Sequence, residues 1–130
     1  MSRVFVPHPQ RSEIEKQFDG FGFNERKDVQ YGVRARKAGQ WFVFYDPDTF
    51  NKSQLLFGFE PKFASKNEPM IQSFATEKHS DEASSTAFNV YRNAGSNPAK
   101  QSDIAVVWKF SSVVKFLDCV RELERSGALS

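Results

Sequence analysis

The sequence predicts an α+β protein: a bent antiparallel sheet, or half-open barrel, of about six to seven strands, covered by a C-terminal helix. Three observations favour this fold class. Phenylalanine accounts for 14 of the 130 residues, and aromatic side chains prefer half-buried strands. Short segments that alternate apolar and polar residues recur at hairpin-length spacing. The last apolar segment, by contrast, follows the spacing of an amphipathic helix.

The first 20 residues predict an edge strand followed by a short helix. The strand covers residues 3–6, since two prolines come next and proline cannot donate to a sheet ladder. Ser12 begins a capping-box pattern and is the expected N-cap of the helix. Ile14 and Phe18 are four residues apart, so both would press against the sheet, and Gly20 is the expected end.

Residues 31–46 predict a β-hairpin whose turn contains Gly39 and whose register pairs Arg36 with Trp41 and Arg34 with Val43. Because side chains alternate along a strand, the hairpin has two different faces. One face is apolar and is expected in the core: Val33, Ala35, Phe42 and Phe44. The other is basic and aromatic: Arg34, Arg36, Trp41, Val43 and Tyr45.

Further strands are predicted at residues 54–59, 71–77, 86–92 and 104–110. Pro61 ends the first of them, in which Gly58 indicates a bulge or a close backbone approach. Residues 79–85 predict a polar loop, and residues 93–103 a loop long enough to be mobile. The phenylalanines are numerous for one small core, and any that remain exposed would form either a stacking surface or a protein interface.

A C-terminal amphipathic helix is predicted over residues 112–126, capped by Ser111 or Ser112 and ended by Gly127. Its apolar positions are expected to cover the sheet: Val113, Phe116, Leu117, Val120 and Leu123. Trp108 and Cys119 are predicted to lie in the core. Seven strands followed by a helix resemble the pleckstrin-homology-like superfold in element order, a resemblance that carries no functional residue.

Composition predicts a single domain, 1–130, in the cytoplasm. The single cysteine forms no internal disulfide, and we see no signal peptide and no apolar run of membrane-spanning length. A net charge of +2 and a pI near 8.7 permit a polyanionic partner without demanding one.

The basic, aromatic hairpin face is the strongest functional signal, and it favours a small non-enzymatic protein that binds single-stranded DNA or RNA. Such proteins stack bases on aromatic rings while Lys and Arg follow the phosphates. Two rings would form the stacking platform, with nearby cations on the phosphates: Trp41, Tyr45, Arg34, Arg36, Lys37, Arg26 and Lys27. With so few phosphates contacted, the log–log salt dependence should be shallow, about −2 to −3.

Other readings of the same face stay open. Arg36 and Trp41 would form an ordinary cation–π pair on a solvated sheet, or the C-terminal helix would cover Trp41 and Tyr45. Alternatively, the face belongs to a protein-interaction or assembly module, including one that associates with itself, because Arg, Trp and Tyr are typical interface hot spots.

The sequence predicts no catalytic residue, metal site or cofactor. His79 lies among serines and acids at residues 79–85, but no nucleophile-elbow motif accompanies it. Two histidines and one cysteine are too few to favour a zinc site. Asp46 and Asp48 flank a proline and fit a capped turn better than a cation site.

Overall fold

The computed structural model describes residues 7–29, 31–46, 54–84 and 104–129. These residues confirm the predicted α+β class: a six-stranded antiparallel sheet that does not close, with helices at both ends of the chain packed on it. The elements are α1 (Arg11–Gly20), β1 (Asn24–Val29), β2 (Gly32–Lys37), β3 (Gln40–Tyr45), β4 (Leu55–Phe59), α2 (Pro61–Lys66), α3 (Glu68–Phe74), β5 (Glu77–Ser84), β6 (Ile104–Phe110) and α4 (Val113–Arg125). The strand order is β1-β2-β3-β4-β6-β5.

The central hairpin, β2–β3, has the predicted register, with Arg36 opposite Trp41 and Arg34 opposite Val43. Its two-residue turn places both Ala38 (φ 52) and Gly39 (φ 80) at positive φ. Two consecutive positive φ values are typical of the turns whose twist matches that of the flanking strands. The predicted apolar face is buried in the core: Val33, Ala35, Phe42 and Phe44.

All four helices pack on this apolar side of the sheet, where their buried residues join those of the strands in one hydrophobic core. Phe116 of α4 stacks on Phe57 of β4 with ring centroids 3.8 Å apart and planes 6° from parallel. Nine phenylalanines are buried in this core: Phe18, Phe23, Phe42, Phe44, Phe57, Phe59, Phe63, Phe110 and Phe116. Phe21 and Phe74 are half-buried against it. None of the phenylalanines in the described part of the chain is fully exposed, so none of them offers such a surface.

Helix α1 presses Ile14 and Phe18 into the core and ends at Gly20, as predicted. The prediction that Ser12 caps it is wrong, since the helix begins at Arg11 and no side chain accepts a cap hydrogen bond there. Contacts with the sheet explain this start. The Arg11 guanidinium donates to the carbonyl oxygens of Val29 and Gly32, the latter at 2.9 Å, and so holds the first turn against β1 and β2.

Asp46, at the end of β3, completes this attachment of the N-terminal segment. Its carboxylate is buried and accepts a 2.8 Å hydrogen bond from the backbone N–H of His8. The same carboxylate lies 3.7 Å from the Arg11 guanidinium. A buried charge with both a cation and a backbone donor is satisfied, so these contacts fix where the chain enters α1.

Between residues 61 and 84 the sequence predictions are mostly wrong. The segment 71–77, predicted as a strand, belongs largely to α3, and 79–84, predicted as a loop, belongs to β5. Pro61 and Pro69 each stand in the first turn of a short helix, where the missing N–H costs nothing. Strand β5 lies at the sheet edge, where polar residues are favoured and no alternation is required. β1 lies at the other edge of the sheet, and its polar sequence likewise gave no alternation from which a strand could be predicted.

Strands β4 and β6 and helix α4 lie where they were predicted. Gly58 pairs in unbroken register with Val43 and Val107, so the suggested bulge is absent. The Ser112 hydroxyl caps α4 by accepting a 3.3 Å hydrogen bond from the backbone N–H of Lys115. The strands predicted at residues 3–6 and 86–92, the loop at 93–103, and Asp48 lie outside the described residues. No described helix has the length and apolar character needed to cross a membrane.

Replacement of Phe116 tests the central ring cluster. Phe116→Ala removes a fully buried ring and should lower the free energy of unfolding by about 3–5 kcal/mol, measured by urea denaturation. Val114→Ala is the matched control, because Val114 lies on the same helix and is 60% exposed, so it should cost about 0.5 kcal/mol or less. A loss below about 1 kcal/mol for Phe116→Ala would contradict this account of the core.

Candidate nucleic-acid interface

The side of the sheet opposite the helices, called here the outer face, carries a second and smaller apolar cluster. Its buried members come from strands alone: Val43, Leu56, Ala105 and Val107. Val29, Trp41 and Tyr45 pack against them and are half-buried. None of the described helices contributes to this cluster. The alternative in which the C-terminal helix covers Trp41 and Tyr45 is therefore wrong.

Strand register decides which of the predicted cations share the outer face. Residues directly opposite each other on neighbouring strands point to the same side of a sheet. Lys27 is opposite Arg34, and Arg34 is opposite Val43 of the outer cluster. Arg36 and Trp41 are likewise opposite each other, two positions along the hairpin. Lys27, Arg34 and Arg36 consequently lie on the outer face with the two aromatic rings.

Arg36 and Trp41 form the best-defined contact on this face. The Arg36 guanidinium lies over the indole, 5.7 Å from the ring centroid, and 3.2 Å from the carboxylate of Glu25. Its side chain is 43% exposed. A cation–π pair at such an exposed position contributes about 0.5–1 kcal/mol. The expected cross-strand pair is thus present, with an acid beside it that the sequence did not indicate.

Glu60, directly after β4, holds the backbone of Trp41. The last β3–β4 pair is Phe42 with Phe59, and beyond it a Glu60 carboxylate oxygen accepts a 2.8 Å hydrogen bond from the Trp41 N–H. The residue is buried. Burial raises the pKa of the Glu60 carboxyl, while the Trp41 hydrogen bond and the charge of Arg36 act in the opposite direction. The Glu60 side chain therefore supplies the acceptor for the Trp41 N–H beyond the last backbone pair of β3 and β4.

The other two outer-face residues differ in their access to solvent. Arg34 is only 7% exposed, so its guanidinium is largely withdrawn from a ligand that approaches the sheet. Tyr45 is half-buried, and burial raises the pKa of its hydroxyl. Tyr45 and Trp41 are four positions apart, so their Cα atoms are ~13 Å apart along the strand. Trp41 and Tyr45 would therefore engage separate bases of a strand.

Lys37 lies on the helix side of the sheet, away from Arg36. Its ammonium donates a 2.8 Å hydrogen bond to the carbonyl oxygen of Phe21 and lies 3.5 Å from the Glu124 carboxylate. It also lies over the ring of Phe23, 5.5 Å from the centroid. Alternation along β2 already groups Lys37 with the core-facing residues, so the sequence contained this information.

Arg26 is also removed from the outer face. Its guanidinium lies 3.3 Å from Asp19 and 3.9 Å from Glu15, both on α1. The strand pairing is irregular between Asn24 and Lys27, and Glu25 there has a φ of 54°. Such a bulge re-aims side chains, and no pattern in the sequence indicates it. Of the predicted cations, the exposed ones on the outer face are Lys27 and Arg36.

Few of the described residues are candidates for catalytic groups. His79 is exposed, and its pKa is lowered by partial burial and by the charge of Lys109, against an opposing effect of Glu77. The residues that the structure describes contain no group of His, Cys, Asp and Glu arranged to hold a metal ion. Cys119 is fully buried in α4, and burial raises its pKa to about 12.

No family model matches the chain, and no curated protein or solved structure is significantly similar to it.

Thiol labelling tests the burial of Cys119. With a pKa of about 12, the thiolate fraction at pH 8 is about one in ten thousand, and the side chain is inaccessible. A coloured disulfide reagent should therefore react with the native protein no faster than the protein opens globally. In urea above the unfolding midpoint, one equivalent should react within minutes. Rapid labelling of the native protein would contradict the placement of Cys119.

The effect of pH on Glu60 supplies another test. Because the pKa of the Glu60 carboxyl in the folded state is raised above the ordinary value of 4.5, the contribution of Glu60 to stability falls as pH rises from about 4.5 through that raised pKa. Glu60→Gln keeps an oxygen for the Trp41 N–H and does not titrate. Its unfolding free energy relative to wild type should thus increase with pH over this window.

Urea denaturation at several pH values between 4 and 8 measures the effect, with Glu13→Gln at an exposed position of α1 as the control for loss of a surface charge. A relative stability of Glu60→Gln that falls as pH rises would show that the folded protein favours the ionised carboxylate.

Proposed function

We propose that the outer face binds short stretches of single-stranded nucleic acid without catalysing a reaction on them. The observation that carries this proposal is the Arg36–Trp41 pair, a half-buried indole with a guanidinium over it, on a face where the described helices do not lie. Aromatic rings and cations side by side are the usual means of holding unstacked bases and their phosphates.

Each residue has a separate role in this proposal. Trp41 and Tyr45 offer ring surface to separate bases, and a stacked base is worth ~1–3 kcal/mol. Lys27 and Arg36 contact phosphates. Two phosphate contacts on a single strand predict a log–log salt slope of about −1.4, shallower than the range expected from the sequence because Arg34, Lys37 and Arg26 are withdrawn. The preference for single strands follows because paired bases offer no free ring face.

A second candidate, a protein-binding or self-associating module, is favoured by the balance of charge on the same face. Arg36 lies 3.2 Å from Glu25, and Lys109 lies 3.1 Å from Glu77. Paired charges around half-buried Trp and Tyr rings are typical of the rim and centre of a protein interface.

Titration of a fluorescently labelled ten-nucleotide homopolymer tests the first candidate. We expect measurable binding at ~50 mM salt, and Trp41→Ala should weaken it about 10-fold because one stacked base is lost. Lys27→Gln should reduce the salt slope by about 0.7, the contribution of one phosphate on a single strand. Lys115→Gln is the matched control: it also removes one exposed lysine charge, but from α4 on the other side of the sheet.

Equal effects of Lys27→Gln and Lys115→Gln would indicate attraction by net charge alone and would remove the outer face from consideration. Absence of binding at ~50 mM salt would exclude the nucleic-acid proposal. Light scattering after size exclusion then tests the second candidate: a dimer that Trp41→Ala converts to a monomer would favour self-association through this face.

A further inference from the structure

A polar cavity of about 380 Å³ lies between the start of β3 and helix α2. Its wall includes Gln40, Glu60, Lys62, Lys66 and the ring of Phe63. Trp41 does not line it, so the polar cavity is distinct from the stacking surface of the outer face. Cavities of this size accept small molecules rather than folded partners.

The two lysines place positive charge on the wall of the polar cavity. Lys62 and Lys66 are one turn apart on α2, and both are exposed. Neither forms an ion pair with any residue in the described part of the chain. Two ammonium groups without acidic partners beside a cavity favour a ligand carboxylate, which accepts charge-assisted hydrogen bonds from both.

The wall of the polar cavity also carries hydrogen-bond acceptors, from Glu60 and Gln40. One Glu60 carboxylate oxygen accepts the Trp41 N–H, and the residue is 7% exposed. The Gln40 side-chain oxygen is buried and receives no hydrogen bond from a described residue. Buried acceptors that lack a donor are costly, so a ligand that brings N–H groups would be stabilised here.

An apolar groove of about 590 Å³ continues from the polar cavity, and the two share Lys66 and Asn67. It lies between α3 and α4 and is lined chiefly by Pro69, Met70 and Phe74, with Glu122 contributed by α4. Met70 and Phe74 are half-buried against the core. An unbranched apolar chain that enters this groove would remove its own surface and that of Met70 from water.

We propose that the polar cavity and the apolar groove together bind a free α-amino acid with an extended apolar side chain. Its carboxylate contacts Lys62 and Lys66, and its ammonium donates to Glu60 and the Gln40 oxygen. Its side chain lies along Met70 and Phe74. This arrangement uses the cationic, acceptor and apolar parts of the wall at once, which neither a simple anion nor a simple hydrocarbon would do.

Four matched probes test the three contacts separately: L-norleucine, hexanoate, 1-pentylamine and glycine. The last three lack the ammonium, the carboxylate and the apolar side chain, respectively. Backbone amide NMR signals of residues 60–74 should shift saturably with norleucine. Each of the other probes should bind at least about 10-fold more weakly, because a site built for a polar group rejects the analogue that lacks it.

Two variants connect the binding to the named side chains. Lys62→Gln should weaken norleucine at least about 10-fold while leaving pentylamine unchanged. Glu60→Gln should weaken norleucine similarly while leaving hexanoate unchanged or slightly tighter. Lys115→Gln, an exposed lysine on α4, is the control and should change none of these affinities. If Glu60→Gln does not fold, the probe series and Lys62→Gln still decide the outcome.

Three results would overturn the proposal. Absence of a saturable shift with norleucine at ~50 mM would remove the site, since useful affinities lie well below that concentration. Hexanoate binding as tightly as norleucine would show that the ammonium is not recognised. If a short peptide that ends in norleucine with a free carboxylate bound more tightly than free norleucine, the groove would be assigned to peptides instead.

Discussion

The stack of Phe116 on Phe57 joins the two layers of this protein. Phe57 lies at the centre of the sheet, in β4 between β3 and β6, and Phe116 lies near the start of α4. Edge-on contacts with Phe42 at 6.0 Å and Phe110 at 5.6 Å surround the stacked pair. Rings packed in both arrangements bury large apolar areas and favour one relative orientation of helix and sheet. The stack therefore fixes α4 on one side of the sheet, where the buried residues of the other three helices join the same core.

That one-sided core determines where binding surfaces can exist. With every described helix on the Phe116 side, the outer face has only strand residues for its own small cluster, and its aromatic rings stay half-buried. Charges at the margins are largely paired, as in Arg36 with Glu25. Lys27 and Arg36 are the predicted cations that stay accessible on this face, so few charges are available to a partner. A partner there must depend on ring surface more than on charge, and such contacts are less sensitive to salt.

The sequence predicted the parts of the fold in which one pattern dominates. The β2–β3 hairpin and α4 have clear periods of two and 3.6 residues, and both lie within one or two residues of their predicted bounds. The prediction failed where tertiary contacts decide. β1 and β5 are edge strands with polar sequences that carry no apolar alternation, and the Arg11 guanidinium holds the start of α1 by binding carbonyl oxygens of Val29 and Gly32.

The candidate site, like the fold, could be predicted from the sequence only in part. Register and alternation were sufficient to place Arg34, Arg36 and Trp41 on one face. They could not show that Arg34 is buried, since burial depends on what packs beyond the hairpin. Nor could they show that a bulge near Glu25 turns Arg26 towards α1. Side-chain access to solvent, which decides whether a cation can reach a phosphate, is a property of the tertiary structure.

Glu60 connects the two regions for which binding is proposed. One carboxylate oxygen holds the Trp41 N–H at the margin of the outer face, while the same side chain lines the polar cavity beside α2. A ligand that donates to this carboxylate competes electrostatically with Arg36, whose charge stabilises the ionised form. Weaker attraction between Glu60 and Arg36 would leave the guanidinium more available to a phosphate over Trp41. Occupancy of the cavity and affinity of the outer face would then be linked through one residue, and linkage requires the effect to be equal in both directions.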